Sequence, residues 1–169
     1  MYYKTKYISP YGNITIVCDN KNLIGLWFEG QKNYGDIINE KMIKKEDIPI
    51  LLETKKWLDE YFEGKKPKIS RLPLAPLGGT FRQEVWKILV EIPYGKTLTY
   101  GEIAKKVAKR LSKENMSAQA VGNAVGHNPI SIIIPCHRVI GKNGNLIGYA
   151  AGIDIKEKLL AHENSTLDI

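Results

Sequence analysis

A cysteine and a histidine stand side by side after the most apolar stretch of the chain. They lie in Pro135-Cys136-His137-Arg138-Val139, directly after Ile130-Ser131-Ile132-Ile133-Ile134. The apolar run predicts a buried strand, and a thiol at its end beside an imidazole favours a reactive thiolate. A cysteine of ordinary pKa, about 8.5, is only a few per cent thiolate at pH 7, so a base must take its proton. The motif therefore indicates a nucleophilic cysteine, although isolated Cys-His pairs also arise by chance.

The elements that must position this motif begin with a β-rich first part. Short apolar or alternating runs, separated by turn sequences, predict a three-stranded meander at Tyr2–Ser9, Asn13–Cys18 and Leu23–Glu29. Helical spacing over 48–63 predicts one helix, which Gly64 ends.

Residues 65–79 hold three prolines and end in Gly78-Gly79, which predicts a linker between domains. The part after it is mostly helical. Capping signals predict helix starts at Thr80 (with Gln83), Thr99 (with Glu102), Ser117 and Asp154. We therefore expect a mixed α/β chain of the α+β type, with an N-terminal domain 1–64, a linker 65–79, a second domain 80–163 and a frayed tail 164–169.

The third helix of the second domain has almost no side-chain bulk from Ala118 to Gly126. Tight helix packing explains such a helix, and so does close approach to another surface. Together with the preceding helix and loop it resembles a helix-turn-helix.

Composition points to an intracellular protein. The net charge is +7, with 13 basic and 10 acidic residues in 1–79 and 12 and 7 in 80–163. This excess fits either a polyanionic partner or a lysine-rich surface. No run approaches the length of a membrane span and Met1–Tyr7 lacks a signal-peptide core, so we expect a cytoplasmic location and no membrane partner. The two cysteines, Cys18 and Cys136, are expected to be free thiols, Cys18 as a buried apolar residue, and no cluster has zinc-ligand spacing.

The ordered motifs closely resemble the O6-alkylguanine-DNA alkyltransferase family. The matching segments of 80–163, in family order, are Val85-Trp86, Ile92–Thr97, Tyr100, Ile103-Ala104, Ala120–Gly122, Asn128-Pro129, Pro135–Ile140, Gly148-Tyr149, Gly152, Lys156 and Leu159–Glu163. The first 65 or so residues match the family's N-terminal RNase H-like domain more weakly, best at Ser9–Gly12 and Gly25–Phe28. The resemblance implies repair of O6-alkylguanine, and of O4-alkylthymine, by irreversible transfer of the alkyl group to the protein's own cysteine.

The resemblance also implies residue roles in the catalytic site. Cys136 is the acceptor, His137 takes its proton through a water, and Glu163 orients His137, following the logic of a catalytic triad. Asn128 ties the small-residue helix to the active-site segment, and Tyr100 crowds the 3′ phosphate and donates a hydrogen bond to the flipped base. Val139, Tyr149 and Ala150 form the base pocket. No cofactor and no metal are expected.

The implied partner is double-stranded DNA, entered from the minor groove with the damaged base flipped out. The residues expected to contact DNA are Ala118, Gln119, Ala120, Gly122, Asn123 and Arg138. We expect a monomer, several copies of which can line up on one duplex.

Three positions depart from the family pattern. Gln119 replaces the usual arginine that fills the gap left by the flipped base, and the loop 109–116 is longer than in many members. Ala151 stands where a glycine is usual, which predicts poorer transfer of bulky groups such as benzyl.

Three other functions remain open from the sequence. A recognition module that binds and flips without transfer lacks the cysteine, so Cys136 argues against it. A helix-turn-helix regulator with an incidental thiol would bind a specific sequence, and a thiol hydrolase would turn over repeatedly.

Overall fold

The first half of the chain is built on a four-stranded sheet. In the computed structural model, which describes residues 1–31, 41–146 and 148–166, β1 (Tyr2–Ser9), β2 (Gly12–Cys18) and β3 (Leu23–Phe28) form the predicted antiparallel meander. β4 (Met42–Lys44) pairs parallel with β1, so the sheet order is β3-β2-β1-β4.

One helix covers this sheet. α1 (Pro49–Phe62) lies within the predicted range 48–63. Its inner face buries Leu51, Leu58 and Tyr61 to 1% exposure or less, in the stripe that helical spacing requires. Gly64 follows with φ of +80°, a conformation that glycine adopts at low cost after a helix.

The segment 65–79 is fixed to the free edge of β3. The backbone N–H of Leu23 donates to the carbonyl oxygen of Pro73 at 2.8 Å, and the N–H of Ala75 donates to the carbonyl oxygen of Leu23 at 2.9 Å. Leu72 is buried against the core. The segment predicted to be a linker is thus a hydrogen-bonded strap along the sheet.

The second half consists mainly of helices. α2 (Thr80–Val90), α3 (Tyr100–Arg110), α4 (Ala118–Gly126) and α5 (Ile153–Ser165) accompany two short parallel strands, β5 (Leu98–Thr99) and β6 (Val139–Ile140). α2, α3 and α4 pack against one another, and one apolar core extends through both halves. Among the described residues no helix is long and apolar enough to cross a membrane.

Side-chain caps fix the starts of α3 and α4, as predicted. The Thr99 hydroxyl accepts a hydrogen bond from the N–H of Glu102 at 3.1 Å, and the Glu102 carboxylate accepts the N–H of Thr99 at 3.2 Å. The Ser117 hydroxyl accepts the N–H groups of Gln119 and Ala120. These bonds satisfy amide groups that a helix leaves without partners in its first turn.

The capping box predicted at Thr80 is wrong. Thr80 already belongs to α2, and the residue that precedes the helix is Gly79, which has no side chain to accept a bond. The Gln83 side chain instead donates to the carbonyl oxygen of Pro76 at 2.5 Å. α5 likewise begins one residue earlier than predicted, at Ile153.

The two halves are joined by backbone hydrogen bonds beside the cysteine motif. The N–H of Leu26, in β3, donates to the carbonyl oxygen of Pro129, and the N–H of Ser131 donates to the carbonyl oxygen of Leu26, both at 2.8 Å. The active-site segment therefore begins on the edge of the N-terminal sheet.

The apolar run 130–134 is buried as predicted, but it is not a strand. Its residues are at most 3% exposed. After the single bridge at Ile130 the backbone turns, with Ile132 at φ of +68° and the N–H of Ile134 donating to the carbonyl oxygen of Ile130 at 3.1 Å. A run of β-branched residues therefore predicts burial here, while local hydrogen bonds decide the conformation.

Candidate active site

Cys136 begins a short 3₁₀ turn, Cys136–Arg138, that leads into β6. The adjacent cysteine and histidine thus lie on a tight turn and not on the extended backbone expected from the sequence. Cys136 is 5% exposed. Burial raises the pKa of its thiol, while the Asn128 amide and the Lys156 ammonium pull that pKa back down. Burial therefore favours the neutral thiol in the resting state, and the reactive thiolate expected from the sequence stays a prediction.

His137 is a buried neutral base. Its Nε2 lies 2.5 Å from Oε2 of Glu163, and the two side chains are 0% and 1% exposed. Burial lowers the pKa of His137, more than the hydrogen bond and the charge of Glu163 raise it. Because the carboxylate can only accept, the proton sits on Nε2 and the lone pair on Nδ1. Nδ1 is buried and has no hydrogen-bond partner within the described ranges, so it is available to accept a proton.

Glu163 is held by donors from four residues in three parts of the chain. Besides His137, its carboxylate accepts hydrogen bonds from Nε of Arg138 (2.8 Å to Oε1), Nη2 of Arg138 (3.1 Å to Oε2), the Tyr61 hydroxyl (2.7 Å to Oε2) and the backbone N–H of Gly95 (3.2 Å to Oε1). Burial alone would raise the pKa of Glu163, but the hydrogen bonds from His137 and Arg138 and the charge of Arg138 hold that pKa well below its usual range. Glu163 is therefore ionised and fixed in one orientation, as expected of a residue that orients the base.

Arg138 belongs to this buried network. The residue is 5% exposed, its Nη1 donates to the carbonyl oxygen of Ile92 at 2.7 Å, and its guanidinium carbon lies 5.5 Å from the centre of the Tyr94 ring. Its remaining donors face Glu163. The prediction that Arg138 contacts DNA is therefore wrong, because burial and these partners leave the guanidinium no surface to present.

Asn128 connects α4 to the cysteine segment, as expected. Its side-chain amide donates to the carbonyl oxygens of Ile130 (3.2 Å) and Ile134 (2.8 Å), and its amide oxygen accepts the N–H of Ile130 (3.0 Å). Asn128 is 5% exposed, so these bonds form away from water. They fold the run 130–134 back on itself and so deliver Cys136 to its position.

A groove of about 730 Å³ opens beside α4. It gathers four of the residues predicted from the sequence, namely Tyr100, Ala118, Gln119 and Gly122. Gln119 is exposed on the surface of α4. Gly148 lines the same groove and has φ of +68°; a Cβ atom at this position would lie 3.0 Å from the Tyr100 hydroxyl. The left-handed φ and the nearby Tyr100 hydroxyl both favour a glycine at this position.

A second, smaller cavity of about 260 Å³ lies next to this groove. Its lining includes the predicted residues Asn123, Tyr149 and Ala150, together with Gly122 and Gly148, which it shares with the groove. Of the predicted DNA-contact and base-pocket residues, three line neither space: Ala120 is half-buried, and Arg138 and Val139 are buried.

Two residues that contribute to the site were not predicted. Lys156 is fully buried; burial lowers its pKa to about 8, and its Nζ lies 5.8 Å from the centre of the Tyr100 ring. Its position could have been inferred, because Lys156, Leu159 and Glu163 share one face of α5 at helical spacing. Tyr61 gives no such signal, since it is 102 residues from Glu163.

Comparison with known proteins agrees with this geometry. Residues 80–165 match the 6-O-methylguanine DNA methyltransferase, DNA binding domain, and residues 1–76 match the 6-O-methylguanine DNA methyltransferase, ribonuclease-like domain. The chain is 38% identical to the methylated-DNA--protein-cysteine methyltransferase of Haemophilus influenzae over 95% of this chain and 86% of the relative. It is 45% identical to the Methanosarcina mazei protein of that name, over 94% and 95%.

A solved structure with the same fold is that of Mycobacterium tuberculosis OGT in complex with DNA. It is 37% identical, has a TM-score of 0.81, and the match covers 98% of this chain and 93% of that one. The resemblance drawn from the motifs is thus confirmed. The chain belongs to the 6-O-methylguanine DNA methyltransferase family.

Proposed function

We propose that this protein repairs DNA by moving the alkyl group of an O6-alkylguanine to Sγ of Cys136, once per molecule. The observation that carries the proposal is the buried Cys136 thiol next to a neutral imidazole whose Nδ1 lone pair is available. Relatives that share most of their length with this chain are named methylated-DNA--protein-cysteine methyltransferases, which is the same chemistry.

The proposed reaction forms the Sγ–carbon bond and breaks the bond between that carbon and guanine O6. The thiol proton passes through one water molecule to Nδ1 of His137, and Glu163 stabilises the imidazolium that results. The guanine leaves with the electron pair of the broken bond, and a hydrogen-bond donor near O6 stabilises this developing charge. The proton held by the His137 imidazolium can return through water to make the departing guanine neutral. The Ala150 N–H and the Tyr149 side chain, beside the smaller cavity, suit this role.

Regeneration of the protein is not part of the proposed reaction. Removing the alkyl group would require the thiolate to leave from an unactivated thioether carbon, and the proposed machinery holds only one base and one thiol. Each molecule is therefore expected to react once, without a cofactor.

The proposed partner is a DNA duplex that meets the face formed by α3 and α4. We propose that these helices act as a helix-turn-helix and that α4 enters the minor groove with its small residues, since bulky side chains would keep the helix out. The damaged guanine would flip out past Gln119 and Tyr100, and the backbone near Val139 would contact its edge. The DNA complex of the Mycobacterium tuberculosis relative supports a nucleic-acid partner.

The charges around this face favour DNA. Lys105 and Lys142 line the groove beside α4, and Lys109 and Lys113 are exposed nearby on the end of α3 and the loop that follows. Arg110 is less available, because it pairs with Glu91. We therefore propose phosphate contacts from these lysines, with correspondingly salt-dependent affinity.

We also propose the division into 1–64, 65–79 and 80–163 and action on DNA as a monomer. A cytoplasmic location fits the two free thiols, which a reducing compartment keeps from forming disulfides.

Intact mass after mixing with a duplex that carries one O6-methylguanine tests this function. We expect a gain of one methyl group, mapped to Cys136, absent in Cys136→Ser and unchanged in the matched control Cys18→Ser. Binding without a mass gain would leave recognition alone, and continued turnover of excess substrate would indicate a hydrolase.

A further inference from the structure

The N-terminal half contributes a side chain to the candidate active site. Tyr61 lies on the inner face of α1, and its hydroxyl donates to Oε2 of Glu163 with an O···O distance of 2.7 Å. Both residues are 1% exposed. This is the oxygen that also faces Nε2 of His137.

We propose that Tyr61 is a positioning residue for the transfer reaction, which sets the basicity of His137 through the oxygen atom that they share. The inference rests on the proposed function of Cys136 and His137. It assigns the N-terminal domain a part in the chemistry in addition to its part in folding.

The argument begins with the capacity of Oε2. A carboxylate oxygen has two lone pairs, and three donors approach this one: Nε2 of His137, the Tyr61 hydroxyl and Nη2 of Arg138. Each competing donor withdraws electron density that would otherwise stabilise a proton on the imidazole. The Tyr61 bond therefore makes His137 a weaker base and keeps it neutral at lower pH.

The hydroxyl is a permanent donor in this place. Burial and the neighbouring Glu163 carboxylate raise the pKa of Tyr61 well above its usual value, so it keeps its proton. Its ring is fixed by stacking on Trp57 (centroids 5.7 Å apart) and by an edge contact with Phe62 (5.1 Å). The donor thus cannot turn away without disturbing the core.

The other titratable groups around the pair come from several elements. Arg138 on the 3₁₀ turn, Lys156 on α5, Tyr94 after α2 and Tyr149 beside Cys136 face His137 or Glu163. His162 on α5 faces Tyr61 itself, with the two rings 5.1 Å apart. In the acid range Lys156, whose pKa is about 8, keeps its charge, and Cys136, Tyr94 and Tyr149, whose pKa values burial raises, stay neutral. The fall of the transfer rate at low pH, its acid limb, is assigned to His137 by repeating the profile in His162→Gln, where the limb should persist.

The test is the pH dependence of single-turnover methyl transfer in Tyr61→Phe. We expect the acid limb of the rate to move to higher pH by about one unit, because the carboxylate loses one hydrogen bond and stabilises the His137 imidazolium more strongly. Transfer on that limb should then be about tenfold slower. Transfer on the neutral plateau and affinity for the duplex should change by less than threefold. Incorporation of 3-fluorotyrosine at position 61, a stronger donor of nearly the same size, should move the limb to lower pH.

The matched control is Tyr7→Phe. Tyr7 also donates to a carboxylate, Asp59 Oδ1 at 2.7 Å, in the same half of the protein but away from the site. Its profile should coincide with that of the parent protein. An unmoved limb in both Tyr61 variants, or an equal shift in Tyr7→Phe, would overturn the inference.

The proposed function and this inference fail in different ways. Absence of methyl transfer in the parent protein refutes the function itself. With transfer established, the titration of the His137 imidazole, followed by NMR, separates the routes: the shift caused by Tyr61→Phe should vanish in the Glu163→Gln background, and its persistence there would show that it does not pass through Glu163.

Discussion

Replacing Glu163 by glutamine should switch the tautomer of His137, the proposed base. The amide oxygen should face Nε of Arg138 and the N–H of Gly95, two groups that can only donate, because the other position meets one such group, Nη2 of Arg138. The amide nitrogen then faces Nε2 of His137, where the carboxylate accepted before. The neutral imidazole then accepts the hydrogen bond of this amide at Nε2 and carries its own proton on Nδ1. The lone pair that would take the thiol proton is then gone.

The expected effect on the rate is that of losing a general base, and the expected effect on stability follows from the burial of the site. A positioned general base contributes about 10²- to 10⁴-fold to a reaction rate, so we expect methyl transfer to slow by about that factor. Stability should fall as well, because the substitution leaves the buried Arg138 cation without its anion. Breaking a buried ion pair on one side typically costs about 3–5 kcal/mol in the free energy of unfolding.

Two assays on the same preparation separate these effects. Quenched-flow measurement of methyl transfer at pH 7 gives the rate, and urea unfolding gives the stability. Glu60→Gln is the control, since Glu60 makes a bidentate ion pair with Arg71 in an exposed position and should lose little in either assay. A Glu163→Gln protein that transfers methyl groups as fast as Glu60→Gln would refute the tautomer argument.

Four further substitutions probe other parts of the site. Lys156→Met should slow transfer at pH 7 about tenfold, because the lysine charge favours the thiolate. In the parent protein the free energy of unfolding should rise from pH 8 to about pH 10, because over this range Lys156 is mostly protonated in the unfolded chain and mostly neutral in the folded protein, where its pKa is about 8. Lys156→Met should abolish this rise, which urea unfolding across the range measures. Asn128→Ala should cost about 3 kcal/mol in urea unfolding, about one for each of its three hydrogen bonds, whereas the exposed Asn123→Ala should cost much less. Gln119→Arg should strengthen duplex binding and steepen its logarithmic salt dependence by about 0.9, and an unchanged slope would place this position away from the phosphates. Ala151→Gly should raise the rate of benzyl transfer relative to methyl transfer in competition between the two substrates.

Residues whose partners are close in sequence were predictable. The capping box at Thr99 needs only Glu102, three residues on, and the Ser117 cap needs only the next turn of helix. The meander and α1 follow from side-chain periodicity, which is also a local property. The Thr80 prediction failed because either Gly79 or Thr80 could stand directly before the helix. The hydrogen bonds of Gln83 with the strap 65–79 favour a helix that starts after Gly79.

Residues whose environment depends on distant segments were not predictable. Arg138 has the type and position of a DNA-binding residue, but Ile92 and Glu163 take its donors and bury it. The run 130–134 has the composition of a strand, yet it has a strand neighbour only at its first residues, where it meets Leu26. The role of Tyr61 depends on a contact across 102 residues, and no local pattern encodes it.

The bonds that join the two halves have a consequence for synthesis of the chain. The contacts from Leu26 to Pro129 and Ser131, and from Tyr61 to Glu163, form only after almost the whole sequence is present. Contacts between residues so far apart form late in folding, because closing long loops costs entropy first. In a nascent or misfolded molecule Cys136 and His137 are both present, but Glu163 does not yet position the histidine as a base, and the cysteine is not expected to react. For a protein that acts once, the number of methyl groups accepted would then equal the number of correctly folded molecules, which makes methyl uptake a direct titration of the native fraction in any preparation.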